Sequence, residues 1–192
     1  INGLPGAYNL GVVFTNAPQT DLYRGKSGGA GATDPDGFDT HSRTWFMYAG
    51  LNQQLTQHQD DPNRGVSTSF SMSLADQSTN YMHQVYAASL RYRGLFDARP
   101  EDWIGFGLTW IDMSSQYARN QRYLNSLSGV SDYNNPAWHP VPGHSLNGEF
   151  YYRFRPVSWL ELQPGIQYWH HPGGVSRTQD AWVTELKTVV TF

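Results

Sequence analysis

Apolar and polar side chains alternate with a period of two through most of this chain. That is the pattern of strands whose two faces meet different surroundings. Eight segments carry it: 7–16, 44–56, 66–76, 82–94, 103–113, 144–155, 159–170 and 181–192. In the third, Val66, Thr68, Phe70, Met72 and Leu74 oppose a column of Ser67, Ser69, Ser71 and Ser73. In the fifth, Ile104, Phe106, Leu108 and Trp110 have Gly105, Gly107 and Thr109 behind them. In the seventh, Leu160, Leu162, Pro164, Ile166 and Tyr168 oppose Glu161, Gln163, Gly165, Gln167 and Trp169. Runs of period 3.6 are missing, so helix signals are poor throughout. Each segment is roughly as long as the 9–11 residues a tilted strand needs to cross a bilayer.

Alternation alone also suits a half-exposed soluble sandwich. The connections discriminate. Tight turns at 58–65, at 96–102 and at Pro156–Ser158 fall at every second connection, while both very long loops, 17–43 and 114–143, lie on the other side. Short periplasmic turns and long extracellular loops are the habit of outer-membrane barrels, and an even strand number leaves both chain ends periplasmic. Trp45, Trp103, Trp110, Trp159, Trp182, Tyr92 and Tyr168 fall near strand ends, where an interfacial aromatic girdle is expected. The last segment ends in Phe192.

Composition changes this picture little. The 192 residues carry 13 Lys+Arg against 16 Asp+Glu, a net charge of −3. No basic surplus points to nucleic acid. Aromatics reach 15% while the mean hydropathy is −0.57. No stretch approaches the ~18 apolar residues of a spanning helix, but barrel strands hide from average hydropathy. Cysteine is absent, which excludes disulfides and thiolate metal sites. The chain starts at Ile1 without Met, so either a leader has been removed or this is part of a longer chain.

Specific stretches resemble a known family. YRGLFDARPEDWIGFGLTW (92–110) and YYRFRPVSWLELQPGIQYWHHPGG (151–174) are similar to segments of carbohydrate-selective porins of the OprB type, and LPGAYNLGVVF (4–14) resembles that family's strand opening. Such porins are about twice as long and close with about sixteen strands around a water-filled lumen. The resemblance therefore implies an all-β antiparallel transmembrane barrel. On that reading residues 1–192 are the C-terminal part of a single barrel domain in the bacterial outer membrane. Its implied function is passive, sugar-selective diffusion rather than enzymatic turnover. The partners implied are permeating sugars, outer-membrane lipid and lipopolysaccharide, the barrel assembly machinery through Phe192, and an N-terminal half of the same barrel.

Strand phasing gives the candidate pore-lining residues: Arg91, Arg93, Glu149, Arg153, Arg155, Glu161, Gln163, Gln167, Trp169, Glu185 and Lys187. A sugar pore needs hydrogen-bonding groups and aromatic faces, not reactive chemistry, and any solvated lumen wall would also carry such residues. No cofactor or metal site is expected. The G-K-S at Gly25–Ser27 has Thr20 where a phosphate-binding loop needs its first glycine. Gly143–Asn147 nearly spells a nucleophile elbow, but Asn147 replaces the closing glycine. Asp34–Asp39 lacks the register of a calcium loop. His170 and His171 are adjacent, so on an extended strand they point to opposite faces. Two alternatives stay open: a small closed barrel with a structural or adhesive role, and a soluble lectin-like sandwich.

Overall fold

The computed structural model describes residues 3–192. All eight expected strands form: β1 (Gly6–Thr15), β4 (Thr44–Gln54), β5 (Gly65–Ala75), β6 (Met82–Arg93), β7 (Trp103–Met113), β8 (His144–Val157), β9 (Leu160–His170) and β10 (Ala181–Val190). They make one eight-stranded sheet in the order β1-β4-β5-β6-β7-β8-β9-β10. Every neighbouring pair is antiparallel. The short connections leave no room for parallel crossovers, and the two long loops, 17–43 and 114–143, also return the chain to an antiparallel neighbour. β1 and β10 are the two edges of the sheet and do not pair with each other. That disfavours the small closed barrel.

Register sorts the side chains onto two faces. Tyr8 pairs with Leu51, Leu51 with Phe70, Phe70 with Ala88, Ala88 with Leu108, and Leu108 with Gly148. One face is therefore apolar from edge to edge. No element among the described residues covers it: Leu10 is 79% exposed, Trp182 70% and Leu186 64%. A soluble sandwich would have buried this face under a second sheet, so the lectin-like alternative fails here. The other face collects Ser67–Ser73, Arg91, Arg93, Glu149 and the polar column of β9.

The two long loops are structured, which the sequence pattern did not reveal. Residues 17–43 hold a hairpin of β2 (Gln19–Gly25) and β3 (Phe38–His41). Residues 114–143 hold a helix, α1 (Ser115–Ser128), correcting the reading that helix signals are poor throughout. Its caps are local and legible. Ser114 Oγ accepts from the Gln116 and Tyr117 amides at 3.2 Å each, and Gly129 ends the helix at φ 64°. The periodicity is weak because only a narrow side of α1 meets protein. Buried residues gather in this loop layer rather than between sheets: Ser114, Ala118, Asn120 and Gln121 lie with Asp21 and Leu22 of the hairpin.

Candidate pore-lining face

Every candidate lining residue falls on the polar face, and most are joined by contacts. Glu161 accepts both guanidiniums of β8: Arg153 Nε lies 2.7 Å away and Arg155 Nε 3.2 Å. Arg155 follows Phe154, which pairs with Leu162, so the same register brings it opposite Glu161 and on the face of Arg153. Lys187 bridges Glu185 at 3.0 Å and Glu149 at 3.3 Å across β8 to β10. Gln167 donates to Glu185 at 3.1 Å and accepts the indole N–H of Trp169 at 3.1 Å. Gln163 stands opposite Lys187 in register. The charges are partly exposed, so each bond is worth little singly; together they hold β8–β10 side chains in one wall.

Arg91 and Arg93 differ from the rest. Neither has a carboxylate partner among the described residues, and the Nε atoms of both are buried without a hydrogen bond. Their guanidiniums lie 5.8 and 5.6 Å from the Trp103 ring centroid, a cation–π arrangement. This corrects the girdle assignment of Trp103. It pairs with Arg93 and Arg153, and so stands on the charged face, not at the lipid interface. Arg93, Trp103, Arg153, Arg155 and Glu161 line a recess of about 200 Å³.

Three aromatic residues of this face lie outside the candidate lining set, although period-two phasing already puts Tyr151 beside Glu149 and Arg153. Phe46 and Tyr48 stack with ring centroids 5.8 Å apart, and they join the polar side because β1 pairs with β4 odd against even, as Gly11 against Tyr48. Tyr151 lies over Gly105, its partner on β7. A Cβ on Gly105 or on Gly11 would collide with the Tyr151 or Tyr48 ring, so those glycines are seats for aromatic rings. That pairing of a strand glycine with a cross-strand tyrosine is the signal that marks Tyr48 and Tyr151; Phe46 has no such partner.

The loop layer sits at one end of this wall. Arg119 of α1 packs 4.1 Å over the Tyr23 ring of β2, and Thr33 Oγ1 meets the Tyr123 hydroxyl at 2.9 Å. Asp21 anchors the hairpin by accepting from the Tyr23 and Arg24 amides and from His41 at 2.7 Å. Burial would raise the Asp21 carboxyl, but His41 and the two amides outweigh it and hold it below the usual range. At the opposite end Arg64 pairs with Asp97 at 2.7 Å and holds that carboxyl down.

Strands of bilayer-spanning length, with one bare apolar face and one charged face, define a section of an outer-membrane barrel wall. Comparison with known proteins agrees. The model of the carbohydrate-selective porin, OprB family, matches residues 2–192, and the chain belongs to that family, whose members are outer-membrane channels rather than enzymes. It is 32% identical over 189 residues to Porin B of Pseudomonas aeruginosa, covering 98% of this chain and 42% of the relative. It is 33% identical over 193 residues to "Putative porin QuiX" of Acinetobacter baylyi, covering 100% of this chain and 41% of that protein. The high pH structure of Pseudomonas putida OprB superposes with a TM-score of 0.96 at 36% identity, over 100% of this chain and 46% of that one. The chain thus spans less than half the length of the relatives it matches.

Proposed function

We propose that the chain is the C-terminal half of a barrel of about sixteen strands, and that its polar face lines a water-filled channel for passive diffusion of sugars. The observation that carries this reading is the joined polar wall: the Arg153–Glu161–Arg155 and Glu149–Lys187–Glu185 groups, with aromatic rings set between them. Charged and amide groups offer donors and acceptors to sugar hydroxyls, while Trp103, Trp169 and Tyr151 offer flat faces to pyranose rings. Binding stays weak and multiple, as conduction demands. Five cationic candidates (Arg91, Arg93, Arg153, Arg155, Lys187) face three anionic ones (Glu149, Glu161, Glu185), and in a wide lumen water screens the excess.

The apolar face would meet lipid and the acyl chains of lipopolysaccharide. The loop-layer end would face outward and the tight-turn end the periplasm, where Phe192 stands free for the assembly machinery. The missing strands of the N-terminal half would pair with the edges of β1 and β10.

The test uses the full-length protein in planar bilayers, reading the reduction of ion current by glucose and by maltose. Trp103→Ala should weaken current reduction by glucose several-fold while leaving a channel that conducts. Unchanged sugar response in Trp103→Ala and in Trp169→Ala would remove these rings from the permeation path. A full-length protein that reconstitutes without conducting would remove the channel reading itself.

A further inference from the structure

Three side chains with metal-ligating atoms converge at the loop end of β9 and β10. β9 ends at His170, and His171 leaves the extended path at φ 48° and ψ 64°. It has the one positive φ outside glycine among the described residues. The consequence overturns the expectation that these histidines point apart: their rings stack with centroids 3.7 Å apart. Asp180, just before β10, closes the group, with Oδ1 3.0 Å from His170 Nδ1. One ligand atom from each of the three lies within 4.8 Å of the others. Left-handed backbone is costly for a residue with a Cβ, and the residue before a proline, here Pro172, ordinarily stays extended. Strain of that kind collects at functional sites.

We propose that His170, His171 and Asp180 form a binding site for a divalent transition metal of the zinc class at the outer rim of the barrel wall. Two imidazoles and one carboxylate are a zinc-type donor set, and three protein ligands leave a fourth position for water. Ligand atoms about 2.0–2.2 Å from a tetrahedral ion stand roughly 3.3 Å from one another. The His170–Asp180 contact is already close to that spacing, and rotation of the His171 ring closes the rest. The ion takes the place of the hydrogen between His170 Nδ1 and Asp180: a neutral imidazole then carries its hydrogen on Nε2, and an imidazolium releases one proton to solvent.

The surroundings fit. The Tyr168 hydroxyl donates to Asp180 Oδ2 at 2.6 Å and the His171 amide to Oδ1 at 3.2 Å. These bonds orient the carboxylate as outer-shell partners do, and together with His170 they hold Asp180 down at about 2. A cavity of about 420 Å³ borders His171 and His144 and gives the ion a path and its water. Arg122 and Arg177 also line that cavity, so affinity should rise with ionic strength as their charge is screened. A plain latch between β9 and β10 would account for Asp180 holding Tyr168 and His170. It gives no reason for His171 to take a left-handed backbone and lay its ring on His170.

The inference does not depend on the channel reading, and its test is direct. Full-length protein folded in detergent is titrated with zinc chloride by calorimetry, with cobalt(II) absorption as a ligand-sensitive second readout. One ion per chain is expected. His171→Asn keeps a residue that tolerates the left-handed backbone and keeps the amide bonded to Asp180; it should weaken zinc binding at least tenfold. His170→Gln, which retains a donor to Asp180, should do the same, and His139→Asn in the neighbouring loop should not. Absence of saturable zinc binding in the wild type, or undiminished binding in both variants, would overturn the site.

Discussion

At the residue scale, face decides what a position tolerates. Ile166 sits mid-strand on the apolar face between Phe150 and Thr184, 40% exposed with no protein above it. Gln163, on the same strand, points to the charged side. Ile166→Arg should destabilise the folded barrel by roughly 2–4 kcal/mol, the cost of an arginine near the bilayer midplane. Gln163→Arg should change stability by less than about 1 kcal/mol, because its guanidinium stays in water. Unfolding in lipid vesicles by guanidinium chloride measures both; equal costs would mean that the sheet is not embedded as proposed. Gly105 makes the complementary point, since its missing side chain is what seats Tyr151. Gly105→Val should expel that ring and lower the yield of folded, heat-modifiable protein.

At the scale of elements, the loop layer is fastened by a few polar groups, and Asp21 is the most telling. A carboxyl whose folded pKa lies below its unfolded value of ~3.9 contributes stability above that value. The contribution is lost as pH falls through the folded value. The β2–β3 hairpin should therefore loosen below about pH 4, read as faster amide exchange at Tyr23 and Arg24 after correction for intrinsic rates. Asp21→Asn should show fast exchange already at pH 7 and no such acid step. An acid step that persists in Asp21→Asn would assign the loosening to another group.

For the whole molecule, topology and closure are the testable quantities. Single cysteines at Gly29 and Asp132, in the two long loops, should react with an impermeant maleimide on intact cells, and one at Asn63 should not. Labelling at Asn63 alone would invert the barrel. In the full-length protein, the pair Asn9→Cys and Glu185→Cys should fail to form a disulfide, because β1 and β10 are opposite edges of this sheet and the other half would stand between them. Efficient cross-linking within one chain would instead mean that eight strands close by themselves, with an interior just wide enough for side chains.

The eight long strands, the alternation of short and long connections and the polar columns of most strands are legible in the sequence alone. These follow from local periodicity and from connection length, both readable one segment at a time. It also placed Arg91, Arg93, Glu149, Arg153, Glu161 and their companions on the charged side, since period-two phasing survives without any knowledge of neighbours. The rest depends on contacts between segments distant in the chain. Pairing of β4 with β1 and β5 put Phe46 and Tyr48 on the polar face, because register is a relation between strands and not a property of either. Trp103 left the girdle for the arginines because its partners across β6 and β8 are charged. Helix α1 had little periodicity to show, since its stability comes from caps and from one side packed on β2. His171 turned beside His170 because a single left-handed residue reverses the alternation that a sequence reading must assume.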